Sequence, residues 1–143
     1  ELTTAADLSI SSLRDSLNDI SDTVDDAGKL LHWRPSILLV SAENQWLAKE
    51  LIQSPDRPDT ADRAINAFRD GGLRVIVWPY LTDADAWFLL SEPSRHFVRS
   101  YWRERPNSMH DWDFESSSMK VKIRARWIRG WSEWRGVYGS PGA

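Results

Sequence analysis

Asp111, Asp113 and Glu115 stand at alternate positions, and on a strand alternate residues share one face. Three clustered carboxylates are a donor set for a divalent cation, or a pair for acid–base work. Shortly after them Lys120, Lys122, Arg124 and Arg126 alternate in the same way. The carboxylates therefore have a simpler use, as cross-strand ion-pair partners of Lys120, Lys122 and Arg124. The same cations lie close in sequence to Trp127, Trp131 and Trp134. Cations for phosphate and aromatic rings for base stacking are the ingredients of a nucleic-acid surface. His32, His96 and His110 fall in three separate segments, with no metal-ligand spacing. There is no Gly-x-Ser-x-Gly nucleophile pattern, and Gly71-Gly72 precedes a strand pattern, not the helix that a phosphate-cradling loop needs. The absence of Cys excludes disulfides, thiolate chemistry and the common structural zinc sites. No catalytic residue, metal site or cofactor is expected.

Composition sets the scale for those residues. The chain has 143 residues, 41% hydrophobic and 27% charged, enough for one ordinary domain with a core. Nine tryptophans are several times the usual share, and such residues fill cores or wait at interfaces. Net charge is −3, unevenly spread: 11 acidic and 5 basic residues up to Thr60, then 10 acidic and 13 basic. That asymmetry suits docking between subunits, or two solvated faces. The acidic total counts against a nucleic-acid domain. No apolar run reaches the roughly 20 residues of a membrane helix, and no signal-peptide pattern follows Glu1. The chain reads as a fragment or processed product with sequence missing upstream.

Leu13, Leu17, Ile20 and Val24 recur at helical spacing, with Ser9 or Ser11 as cap and Gly28 as a left-handed stop. Ile37 to Val40 is a continuous apolar run, the mark of a strand covered on both faces. Ser41 is placed to cap a second helix that buries Trp46, Leu47, Leu51 and Ile52. Residues 53–72 form a long polar loop, with Asn66-Ala67-Phe68 available to anchor it. Leu73 to Trp78, ending at Pro79, and Ala86 to Leu90 read as strands of a hairpin-like unit. Phe97 to Arg103 is a further strand, broken at Arg105-Pro106-Asn107. Ser116 to Ser118 turns into a half-buried final strand, Met119 to Trp127. Its apolar face is Met119, Val121, Ile123, Ala125 and Trp127, and its cationic face is Lys120, Lys122, Arg124 and Arg126. The order is α+β, helices packed on a mixed or antiparallel sheet, plus this long C-terminal strand.

The segments GGLRVIVWPYLTDADAWFLLSEP, FVRSYWRERP, DFESSSMKVKIRARW and GWSEWRGVYGSPGA resemble the C-terminal part of tailed-bacteriophage major capsid proteins. SLRDSLNDI and ILLVSAENQWLAKELI fall in the family's order. The resemblance implies an axial-type domain over residues 1–105. It implies a peripheral-type returning strand and aromatic tail over 106–143. The family's spine helix, arm and extended loop would lie upstream. It also implies a structural subunit of an icosahedral phage or prophage head, forming pentamers and hexamers around DNA that it does not bind specifically. Such a subunit catalyses no reaction, contacts no membrane, assembles in the bacterial cytoplasm and ends in the virion. Its partners would be copies of itself. The contact candidates are Asp56, Arg57, Asp59 and Arg63 in the long loop, and Lys120, Lys122, Arg124, Arg126, Trp131 and Trp134 at the strand. The residues alone leave open an alternative, a nucleic-acid or carbohydrate binding module built on the basic strand and the tryptophans.

Overall fold

The structure, a computed structural model, describes residues 6–58, 64–96 and 98–142. The chain forms two compact units, Glu1–His96 with Glu133–Ala143, and Phe97–Ser132. The first, the sheet unit, contains α1 (Ile10–Ser21), β1 (Pro35–Val40), α2 (Gln45–Gln53), β2 (Arg74–Val77), β3 (Trp87–Ser91), the short α3 (Pro93–His96) and, after the hairpin, β6 (Val137–Ser140). The second is a hairpin of β4 (Arg99–Asp113) and β5 (Ser118–Gly130). The fold is α+β.

α1 starts where the sequence says it should. Ser9 Oγ accepts the Ser12 N–H at 3.2 Å, and Ser12 Oγ accepts the Ser9 N–H at 2.9 Å, a reciprocal capping box. The helix ends at Ser21, earlier than Gly28 suggested. Val24 instead bridges Leu30, and Gly28, with φ 76°, closes the tight turn between them. Val24 is consequently exposed, while Leu13 and Ile20 are buried.

The sheet order is β2-β1-β3-β6. β1 and β2 are parallel, joined through α2 and the long loop, because a parallel pair needs a crossover. β3 runs antiparallel to β1, and β6 antiparallel to β3. The expected β2–β3 hairpin is not formed: β1, the most apolar run, lies between them. Leu38, Val40, Trp87 and Leu89 are fully buried against Leu13, Ile20, Leu51 and Ile52 of the helices. The opposite sheet face, with Leu39, Phe88 and Gly139 in register, is half-buried, so β1 is fully covered on one face only. α2 begins at Gln45 with Asn44 as N-cap and no side-chain cap; Ser41 Oγ accepts the Asn44 N–H and donates to the Ala84 carbonyl at 2.5 Å. Ala48, Leu51 and Ile52 form its buried stripe, and Trp46 lies off it, 72% exposed beneath the Lys49 ammonium.

The long loop is tied down by Asn66, which is buried. Its Nδ2 donates to the carbonyls of Leu51 (2.7 Å) and Ser54 (3.0 Å), and its Oδ1 accepts the Phe68 N–H at 3.1 Å. It thus satisfies carbonyls that the end of α2 leaves open.

Candidate subunit-contact surface

β4 and β5 pair over more than ten residues. The register sets two faces. On one, Trp112 opposes Met119, His110 opposes Val121, Ser108 opposes Ile123, and Trp102 opposes Trp127, their rings 5.7 Å apart. On the other, Asp111 opposes Lys120, Met109 opposes Lys122, Asn107 opposes Arg124 and Glu104 opposes Arg126. The alternation read from the sequence is present, but burial is not. Met119, Val121, Ile123 and Trp127 are all more than half exposed. A two-stranded ribbon has no second layer of its own, so neither face is covered within the unit.

Pro106 does not end β4. The strand runs through it, with register shifts between Trp102 and Glu104 and between Glu104 and Asn107. Proline donates no ladder hydrogen bond, and such irregularities are where a strand tolerates it.

The carboxylates sit among the cations. Lys120 Nζ donates to Asp113 Oδ2 at 2.7 Å, and Arg124 Nε lies 3.2 Å from Glu104 Oε2. The Lys120 ammonium, then the Ser116 hydroxyl, hold the Asp113 carboxyl below the ordinary carboxylate range. Asp113 Oδ1 also accepts the Glu115 N–H, and Asp111 Oδ1 accepts the Trp112 N–H. These residues are therefore occupied with strand pairing and the turn at 114–117. Among the described residues no group of three His, Asp or Glu is placed to hold a metal ion.

Of the loop candidates, Asp56 bridges Ile65 and the Arg57 N–H donates to the Ala64 carbonyl at 2.8 Å, so the two arms of the loop meet there. Asp59 and Arg63 lie outside the described residues. Trp131 belongs to the hairpin unit and Trp134 to the sheet unit, and both are exposed. Arg135 stacks over Trp134 and pairs with Glu133 at 3.1 Å and with Asp26. The Glu133 side chain raises the Arg135 pKa further, and the Arg135 N–H lowers that of Glu133. Sequence reasoning missed this clasp, because Asp26 and Arg135 are far apart in the chain. The tail is tied into the sheet unit: Tyr138 is buried and its hydroxyl donates to Asp19 at 3.0 Å. Burial first, then the Asp19 carboxylate, push its phenol up to about 12.

A family model described as phage capsid protein matches residues 1–140. The chain belongs to this phage capsid protein family. No curated protein and no solved structure matches it. Membership gives the chain a structural role in a phage particle, where capsid proteins assemble into a shell. The capsid chain's open hairpin fits such a role, since shell subunits keep surfaces for their neighbours. Among the described residues, no helix is long and apolar enough to cross a membrane.

Proposed function

We propose that this chain is a structural subunit of an icosahedral tailed-phage or prophage head, part of the major capsid protein, built into pentamers and hexamers around packaged DNA. It catalyses no reaction, binds the DNA without sequence preference, assembles in the bacterial cytoplasm and ends in the virion. The axial role goes with the sheet unit and the peripheral role with the hairpin unit. On that division residues 97–105 count with the peripheral part and residues 133–143 with the axial part, whereas the sequence division at 105/106 placed both the other way. The loop carrying Asp56, Arg57, Asp59 and Arg63 faces the capsomer axis.

The observation that carries this reading is the family match over residues 1–140, combined with a ribbon whose apolar face stands open. Exposed apolar surface of this extent marks an interaction site. In the shell, further strands and a helix of the peripheral part cover Met119, Val121, Ile123 and Trp127. The binding-module alternative has less support. Lys120 and Arg124 are already in contact with carboxylates, which compete with phosphate for them. The test is to express the full gene product in bacteria and image it. Closed, uniform particles support the proposal. A product that stays unassembled and binds DNA tightly at about 0.2 M salt, where specific DNA-binding proteins still hold, favours the alternative.

A further inference from the structure

The charge of the chain separates by unit. The hairpin unit, residues 97–132, carries 8 basic and 4 acidic residues, a net +4, while the remainder carries 10 basic and 17 acidic, a net −7. Within the hairpin the excess lies away from the turn. Residues 108–123 carry 2 basic and 3 acidic side chains, and the rest of the unit carries 6 basic against Glu104 alone. At its centre is the irregular stretch of β4. From Trp102 to Asn107 the strand takes five steps while its partner takes three, from Trp127 to Arg124. Extra residues in a ladder are unpaired and turn their side chains away from the regular faces. Those residues include Arg103 and Arg105. Both are exposed, and neither makes an ion pair among the described residues.

The sheet unit has a hollow of matching character. It has a volume of about 530 Å³, its walls include Tyr80, Leu81, Phe88 and Pro141, and among the described residues Asp83 is its one charged wall residue. Tyr80 is 81% exposed. The segment that forms it is held from behind: the Ala84 carbonyl accepts from both Ser41 Oγ and Asn44 Nδ2, and the Trp78 N–H donates to the Val40 carbonyl. Gly139 is part of the shape, because a Cβ there would lie 2.5 Å from the Phe88 ring. A guanidinium has two favourable contacts in such a hollow, an aromatic face and a carboxylate. A second hollow, beside α1 and α2, carries both signs in its walls, with Arg14, Arg57 and Glu50, and so favours a cation less than the first.

We propose that the Tyr80–Asp83 hollow of one copy receives the bulged Arg103–Arg105 segment of a second copy, a head-to-tail contact between subunits. Hollow and bulge are different surfaces of the same chain, so the contact is heterologous and can propagate around a ring. The identity of the partner as a second copy rests on the capsid reading, but the contact is tested apart from it.

The test uses sedimentation velocity of the 143-residue chain at low ionic strength, over a concentration series. Three variants are needed: Asp83→Arg, Tyr80→Ala, and the double change Arg103→Asp with Arg105→Asp. Far-ultraviolet dichroism checks that each is folded. Wild type should associate as concentration rises and dissociate as salt screens the pairs. Each variant should require at least about tenfold more protein for the same association. An equimolar mixture of Asp83→Arg with the double variant should associate like wild type, since each now complements the other. A monomeric wild type, folded variants that associate like wild type, or a mixture that fails to recover would each overturn the contact. If the full gene product still forms particles in that case, the capsid reading stands and only this contact falls. Absence of particles with the mixture effect intact would have the reverse meaning.

Discussion

Ile123→Asp separates the two ways of reading the final strand. The sequence pattern makes Ile123 part of a half-buried face, and a charge there would cost about 3 kcal/mol or more. In the structure Ile123 is 74% exposed and opposes Ser108. Full burial of an isoleucine is worth about 1.5–3 kcal/mol, so the quarter that is covered accounts for roughly 0.4–0.8 kcal/mol. Poorer strand propensity of Asp adds a few tenths, and the expected total is about 1 kcal/mol. Leu38→Asp is the control, because Leu38 is fully buried and its change should cost more than about 4 kcal/mol. Urea unfolding followed by far-ultraviolet dichroism measures the whole chain, and the near-ultraviolet signal of the Trp102–Trp127 pair reports the hairpin. In the full gene product the same Ile123→Asp change should abolish particles, because the shell would bury an unpaired charge. A loss of 3 kcal/mol or more in the isolated chain would mean the face is already covered. Normal particles would mean that it is not covered in the shell.

Three further outcomes follow from particular contacts. Asn66→Ala removes the donor to the Leu51 and Ser54 carbonyls and should cost about 2–3 kcal/mol, read by urea unfolding. Tyr138 has a phenol raised to about 12, so its stabilising contribution is complete below its ordinary pKa of 10.0 and is lost as pH rises toward 12. Tyr138→Phe should flatten that part of the alkaline unfolding curve, and an unchanged slope would remove Tyr138 as its source. Lys120→Ala should let the Asp113 carboxyl return toward its ordinary value, seen by carbon-detected NMR titration, because the lysine is the main cause of its lowering.

The sequence carried strand alternation well and burial poorly. The alternating residues from Met119 to Trp127 lie on β5 as expected, yet periodicity records only which side chains share a face. It does not say whether anything covers that face. Trp46 shows the same limit: it looks like core by type, but Ala48, Leu51 and Ile52 form the helical stripe that meets the sheet. Pairing was also beyond local signals. Val77 and Trp87 are joined by a short segment that reads as a hairpin, while the sheet places β1 between them. Pro106 looked like a strand end because proline lacks a donor, and the bulged ribbon accommodates it. Asn66 was legible as an anchor because a polar side chain beside Phe68, inside a polar loop, suggests a local tie. The Asp26–Arg135 clasp was not, because no local pattern links the two residues. Of the loop candidates, Asp56 and Arg57 lie where the two arms of the loop meet.

The decisive measurement is an electron cryomicroscopy map of particles assembled from the full gene product. It should show a closed shell in which this chain is the repeating subunit, with Met119, Val121, Ile123 and Trp127 covered by neighbouring strands or a helix. A shell in which that apolar face remains bare to solvent, or particles from which this chain is missing, would contradict it.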